Sequence, residues 1–187
     1  MADTLFIATE KPHRNDRIFI DANVLLFLTY PALSTGGDYL SERAKLYSDF
    51  IDQCQRVQAT LFWCGLSLSE ISHKIEEIHS AGTDYGNDIK AFRRLASPGA
   101  RESVVRDVEM AWRQVESFGT CLDGEVTKAT TDAALSWLSR SAIDGYDGFY
   151  LEFMRLAQID KILTDDSDFS SVPNIIVFSA NKRVCRD

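Results

Sequence analysis

The sequence predicts an α/β fold built on a parallel sheet, and two observations carry that expectation. Short apolar runs at residues 17–20, 59–64, 161–164 and 174–178 alternate with longer stretches in which apolar side chains recur at helical spacing. The runs are apolar at consecutive rather than alternate positions, the pattern of strands covered by helices on both faces. A chain of 187 residues suits one domain. We divide it into an N-terminal extension over residues 1–16 and a single domain over 17–187, with a helical insertion around 80–118.

Arg17-Ile18-Phe19-Ile20 reads as a short buried strand that ends at Asp21, and residues 24–28 continue as an apolar run compatible with a helix. Pro31 and the pair Gly36-Gly37 mark residues 30–39 as a loop. Ser41 is placed to cap the next helix, whose Ala44, Tyr47, Phe50, Ile51 and Cys54 share one face. Residues 59–64 form the second strand. Ser67 or Ser69 then caps a helix in which Ile71, Ile75 and Ile78 recur at i, i+4, i+7. Residues 83–99 are mixed and polar, after which Val104, Val105, Val108, Trp112 and Val115 define an amphipathic helix ending near Gly119. A weak strand around 120–122 and a helix over 127–139 follow. The helix from Asp147 to about Ala157 is apolar almost all round, as a buried crossover helix is, and leads to the last two strands.

The chain carries 20 Lys and Arg against 28 Asp and Glu, a formal charge of −8. That balance argues against strong sequence-blind binding to nucleic acid, since phosphate contacts come from basic side chains. No apolar run approaches the ~20 residues of a membrane span, and the polar N-terminus lacks a signal-peptide core. No membrane association is therefore expected, and the cytoplasm is the expected compartment. Cys54, Cys64, Cys121 and Cys185 form no C-x-x-C pair, and Cys64, inside Leu61-Phe62-Trp63-Cys64, reads as a small buried hydrophobe. His73 and His79 are six apart, not the i, i+4 spacing that sets two ligands on one helix face. Trp63, Trp112 and Trp137 read as core or interface residues. There is no nucleophile elbow, phosphate-binding loop or dinucleotide fingerprint.

Chemistry is carried instead by acids at strand ends. Asp21 closes the first strand, and Glu70 lies in the first turn of the helix after the second. Asp147 opens the crossover helix, and Asp166 follows the strand ending at Thr164, with Asp168 close by. In a parallel sheet the carboxyl ends of the strands share one edge, where ligands bind. A single Asp at such a place is often only a helix cap, but four acids together exceed that explanation. Two carboxylates about 4 Å apart repel by roughly 4 kcal/mol at an effective dielectric near 20, so the cluster is costly without a cation. A hard divalent cation removes that cost, and such a site supports metal-assisted hydrolysis of a phosphodiester.

In four segments the sequence resembles the PIN-domain nucleases, a family that includes the toxins of VapBC-type toxin–antitoxin pairs. The segments are Ile20-Asp21-Ala22-Asn23-Val24-Leu25, Leu68-Ser69-Glu70-Ile71, Tyr146-Asp147 and Leu163-Thr164-Asp165-Asp166-Ser167-Asp168-Phe169. The resemblance implies a three-layer α/β/α fold around a parallel sheet of about five strands, with Mg²⁺ or Mn²⁺ held by the acids and endoribonuclease as the activity. It implies Asp21, Glu70, Asp147 and Asp166 as the catalytic acids, and Asp21, Asp147, Asp166 and Asp168 as metal ligands, Asp168 in an outer position. Asn23 and Thr164 are implied as supporting polar groups. Asp144 competes with Asp147 for the third role, and Asp147 is preferred because its spacing to Thr164 suits one helix plus a turn. Asp165 departs from the family pattern, which often has a basic residue or Asn there, and adds negative charge near the phosphate path. RNA is the implied substrate, with an antitoxin protein and a second copy of the chain as candidate partners. The alternative is a PIN-like RNA- or protein-binding scaffold without turnover.

A nuclease of this charge needs local positive patches. Candidates are Arg43 and Lys45, Arg93 and Arg94, Arg101 and Arg106, and the tail residues Lys182, Arg183 and Arg186. Arg93 and Arg94 are the preferred substrate contacts, since the adjacent Phe92 could stack a base while the pair grips the backbone.

Overall fold

The structure, a computed structural model, describes residues 1–30 and 38–185. Most of the loop expected at 30–39, and Arg186, lie outside the described residues. Six parallel strands form one sheet: β1 (Asp3–Phe6), β2 (Arg17–Ile20), β3 (Thr60–Trp63), β4 (Thr120–Cys121), β5 (Lys161–Leu163) and β6 (Ile176–Ser179), in the order β1-β6-β5-β2-β3-β4. Strand β2 is central. Phe19 aligns with Phe62 on one side and Ile162 on the other, and Ile20 with Leu163. The expected α/β/α class is thus observed, with one strand more than the five implied.

The additional strand falls in the segment read as an extension. Residues Asp3–Phe6 pair with β6, Leu5 opposite Phe178, so this segment is part of the sheet. Thr4, Leu5 and Phe6 do favour strand, but four half-exposed residues give too little pattern to stand out from a polar leader.

Among the described residues seven α-helices connect the strands: α1 (Ala22–Thr29), α2 (Asp38–Val57), α3 (Ser67–Ala81), α4 (Ile89–Leu95), α5 (Pro98–Phe118), α6 (Lys128–Leu138) and α7 (Gly145–Leu156). They divide the core in two, as the pleat of β2 requires. Ile18 and Ile20 point to a layer with Val24, Tyr47, Phe50, Ile71, Ile75 and Val115. Phe19 points the other way, to Tyr150, Leu151, Phe153 and Met154 of α7. The rings of Phe50 and Phe178, and of Phe19 and Tyr150, close these layers at centroid separations of 5.0 and 5.1 Å. Each such large apolar side chain contributes roughly 1.5–3 kcal/mol when fully buried. Helices α6 and α7 approach closely because residue 148 is glycine: a Cβ there would lie 2.7 Å from Leu138 Cδ1 and 3.0 Å from the Ala134 carbonyl oxygen.

Several helix starts differ from expectation. Helix α2 begins at Asp38, a turn before Ser41, since no residue between them breaks a helix. Helix α3 takes no side-chain cap from Ser67 or Ser69; Leu66 precedes it in helical conformation. The polar stretch 83–99 contains α4, capped by Asp88, and the start of α5, capped by Ser97 with Pro98 in its first turn. Trp63 is buried and meets Trp112 edge-on at 5.3 Å, and Cys64 is buried, as expected.

Candidate functional site

The carboxyl ends of β2 and β5 lie side by side, and the first polar residues beyond them define the site. Asp21 ends β2 with its N–H donated to the Leu163 carbonyl at 3.0 Å. It then caps α1, one carboxylate oxygen accepting from Ala22 N–H and the other from Thr164 Oγ1, both at 2.6 Å. Thr164 is fully buried, and its hydroxyl also accepts from the Asp166 N–H at 2.9 Å and from Asn23 Nδ2 at 3.3 Å. Asn23 completes the ring by accepting the Asp165 N–H at 3.1 Å. The two residues expected as supporting polar groups thus tie the first acid to the turn that carries the fourth.

Glu70 comes from the first turn of α3, and the buried hydroxyl of Tyr150 donates to it. Asp144 and Asp147 divide two roles that the sequence left in competition. Asp144 is the exposed N-cap of α7, accepting from the N–H groups of Tyr146 at 2.8 Å and Asp147 at 3.1 Å. Asp147 is the buried third residue, returning a bond to the Asp144 N–H at 3.2 Å. Asp166 caps the short 3₁₀ turn Ser167–Ser171 and accepts the Asp168 N–H at 2.9 Å, leaving Asp168 exposed at the margin.

Three of these acids hold their protons unusually tightly. Burial, then the charges of Glu70 and Asp166, push the Asp21 carboxyl up to about 8, against the opposing pull of Thr164. Burial, then Asp21 and Asp144, push Asp147 to about 8. Glu70 rises to about 7 through burial and the charges of Asp147, Asp144 and Asp166, although Tyr150 stabilises its charged form. The groups acting on these acids are one another, Asp144, Asp166, Thr164, Tyr150 and backbone amides, and none of those is a cation. Asp21, Glu70, Asp144, Asp147 and Asp166 therefore form one electrostatic neighbourhood. Among the described residues no three His, Cys, Asp or Glu side chains converge into a ready coordination shell. Asp21 is drawn to Ala22 and Thr164, and Glu70 to Tyr150, in this arrangement.

A cleft of about 350 Å³ opens beside the acids, with Asn23, Glu70, His73, Lys74, Asp144 and Tyr146 among its lining residues. Lys74 was not singled out in the sequence, although it follows Glu70 by four and so shares its helix face. It bonds to Glu77 at 2.6 Å, and Tyr146 is 42% exposed. The arginine pair at 93–94 takes a different place from the expected one. Phe92 is buried against Tyr85, so its ring offers no face to a base. Arg93 is bound to Glu76 at 2.6 Å and reaches His73 at 3.4 Å, while Arg94 is exposed and donates to the Lys90 carbonyl. Asp165 also differs: its carboxylate is paired with Arg43 rather than left open toward the acids.

Fold and site together define an α/β protein with a buried, uncompensated acidic edge on a parallel sheet. No protein-family model matches the sequence, and no curated protein matches it. No helix among the described residues is long and apolar enough to cross a membrane.

Proposed function

We propose that the protein is a PIN-like, metal-dependent endoribonuclease that hydrolyses RNA phosphodiester bonds at this acidic edge. The observation that supports it is the burial of Asp21, Glu70 and Asp147 among carboxylates alone, with one another, Asp144 and Asp166 as their charged neighbours. A protein keeps such an arrangement at a cost in stability, which a cation offsets. The donor set fits Mg²⁺ or Mn²⁺, being hard carboxylate oxygens supported by the Thr164 hydroxyl and the Asn23 amide. Asp21, Asp147 and Asp166 would hold the ion, with Asp168 in an outer position and Glu70 as the further catalytic acid. Such an ion, when bound, neutralises phosphate charge and makes a water more acidic.

The chain's own groups do the rest. Thr164 and Ala22 fix the Asp21 carboxylate, and Tyr150 fixes one oxygen of Glu70. Lys74 places positive charge along the cleft for the RNA backbone, and the exposed ring of Tyr146 offers a stacking surface. A charge of −8 is compatible with RNA when these contacts are local.

The test is cleavage of labelled single-stranded RNA with Mg²⁺ or Mn²⁺. Cleavage should stop with EDTA and fall about 100-fold or more in Asp21→Asn, with the circular dichroism unchanged. Undiminished cleavage by that variant overturns the assignment. In the narrower form of the proposal the protein is a toxin whose acidic edge is covered by a basic antitoxin segment. Growth arrest on expression, relieved by co-expressing a neighbouring reading frame, is its readout.

A further inference from the structure

Asp165 is held at every polar group, by residues far from it in sequence. Its N–H donates to Asn23 Oδ1 on α1 at 3.1 Å. Its carbonyl accepts from Asn181 Nδ2, just beyond β6, at 2.9 Å. Its carboxylate accepts from the Tyr47 hydroxyl at 2.8 Å and pairs with Arg43, both on α2. Arg43 and Tyr47 are four apart and so share one helix face, and both are buried. Tyr47 also lies 3.1 Å from the Thr164 carbonyl and accepts the Ala180 N–H at 3.1 Å, while Arg43 donates to Asn181 Oδ1 at 3.2 Å. Both terminal nitrogens of this buried guanidinium are engaged, one by Asp165 and the other by Asn181, which anchors the turn to α2.

We propose that Asp165 is a positioning residue, clamped by Arg43, Tyr47 and Asn181 so that the turn between Thr164 and Asp166 presents Asp21 and Asp166 to one place. Thr164 transmits the constraint, because its single hydroxyl touches both the Asp21 carboxylate and the Asp166 N–H. The pairing with Arg43 also offsets the Asp165 charge beside Asp166. This inference rests on the metal-dependent reading for its functional consequence, but the clamp itself has a metal-free readout.

Two variants test it: Tyr47→Phe, which keeps the ring stacked on Phe27, and Arg43→Lys, which keeps the charge but loses the fork. Amide exchange is followed by NMR in metal-free protein, and Mn²⁺ affinity by calorimetry. The clamp predicts that the amide of Asp166 exchanges roughly 10-fold faster or more in Tyr47→Phe, with β2 amides unchanged. Mn²⁺ binding should weaken about 10- to 100-fold, with the loss in kcat rather than in KM for RNA. Arg43→Lys should show the same changes to a lesser degree. Unchanged exchange at Asp166 in both folded variants overturns the clamp. Faster exchange in a protein whose wild type binds no Mn²⁺ supports the clamp and overturns the ribonuclease reading instead.

Discussion

Glu76 and Asp21 are carboxylates with little accessible surface, 5% and 3% exposed, but Asp21 lies deeper in the molecule, and the two are treated in opposite ways. Glu76, on α3, meets two arginines from the helical insertion, Arg93 of α4 and Arg101 of α5. Burial alone would raise its carboxyl, but the hydrogen bonds and charges of those arginines hold it below the ordinary range. Asp21 rises to about 8, first through its burial and then through the charges of Glu70 and Asp166. The first arrangement is complete within the chain and ties α4 and α5 to α3. The second has no basic side chain among the groups that act on it, so it keeps its proton at neutral pH, and under the metal-dependent proposal a cation would take the proton's place.

The largest expected effect breaks the comparison at its functional end. Replacing Asp147 with Asn should lower metal-dependent RNA cleavage about 100-fold or more while the protein stays folded, and replacing the cap residue Asp144 should cost far less. Steady-state cleavage rates for the two variants check this; equal losses would mean that Asp144 shares the chemistry. At the structural end, Glu76→Gln weakens two charged pairs at once. Because Arg93 and Arg101 are 49% and 37% exposed, solvent screens part of the loss, and about 1–3 kcal/mol is expected in urea unfolding. Cleavage by this variant should be nearly unchanged.

The two regions should also respond to pH in opposite directions. Asp21, Asp147 and Glu70 have folded values of about 8, 8 and 7 against ordinary values of 3.8, 3.8 and 4.5. Between those limits the folded state binds more protons than the unfolded state, so their contribution is full below about pH 4 and is lost as pH rises to 8. Glu76 is lowered, so its contribution is present above its ordinary value of 4.5 and is lost as pH falls through its folded value. Metal-free protein should therefore melt several degrees lower at pH 8 than at pH 6, and saturating Mn²⁺ should reverse the difference at pH 8. A melting temperature that rises over this interval without metal would show that the acidic edge is already neutralised.

Sequence legibility follows the same division. The strands around 17–20, 59–64 and 161–164 were legible because their apolar runs are continuous, and Asp21 and Asp166 because each closely follows such a run, whereas Glu70 and Asp147 lie in the first turns of helices. The first strand was not, since four half-exposed residues carry no periodicity. The partners of the acids were largely hidden. Thr164 reaches Asp21 across 143 positions and Arg43 reaches Asp165 across 122, and no local pattern encodes contacts of that range. Phe92 was misplaced for a related reason: beside two arginines it resembles a stacking ring, and only the packing of α4 on the core shows it to be buried.

The smallest effect sharpens the comparison most. Asp166 contributes negative charge to Asp21, Glu70 and Asp147 and accepts one hydrogen bond, from the Asp168 N–H. Asn at this position keeps an acceptor for that bond and removes the charge. Metal-free Asp166→Asn should therefore be as stable as the wild type or slightly more so, within about 1 kcal/mol, because the relief of repulsion offsets a weaker cap. The gain should grow as pH rises toward 8, where the neighbouring acids lose their protons, and should vanish in saturating Mn²⁺. Urea unfolding at pH 6 and 8 measures both trends. A loss above ~2 kcal/mol would class Asp166 with Glu76, as an acid whose charge the fold itself requires.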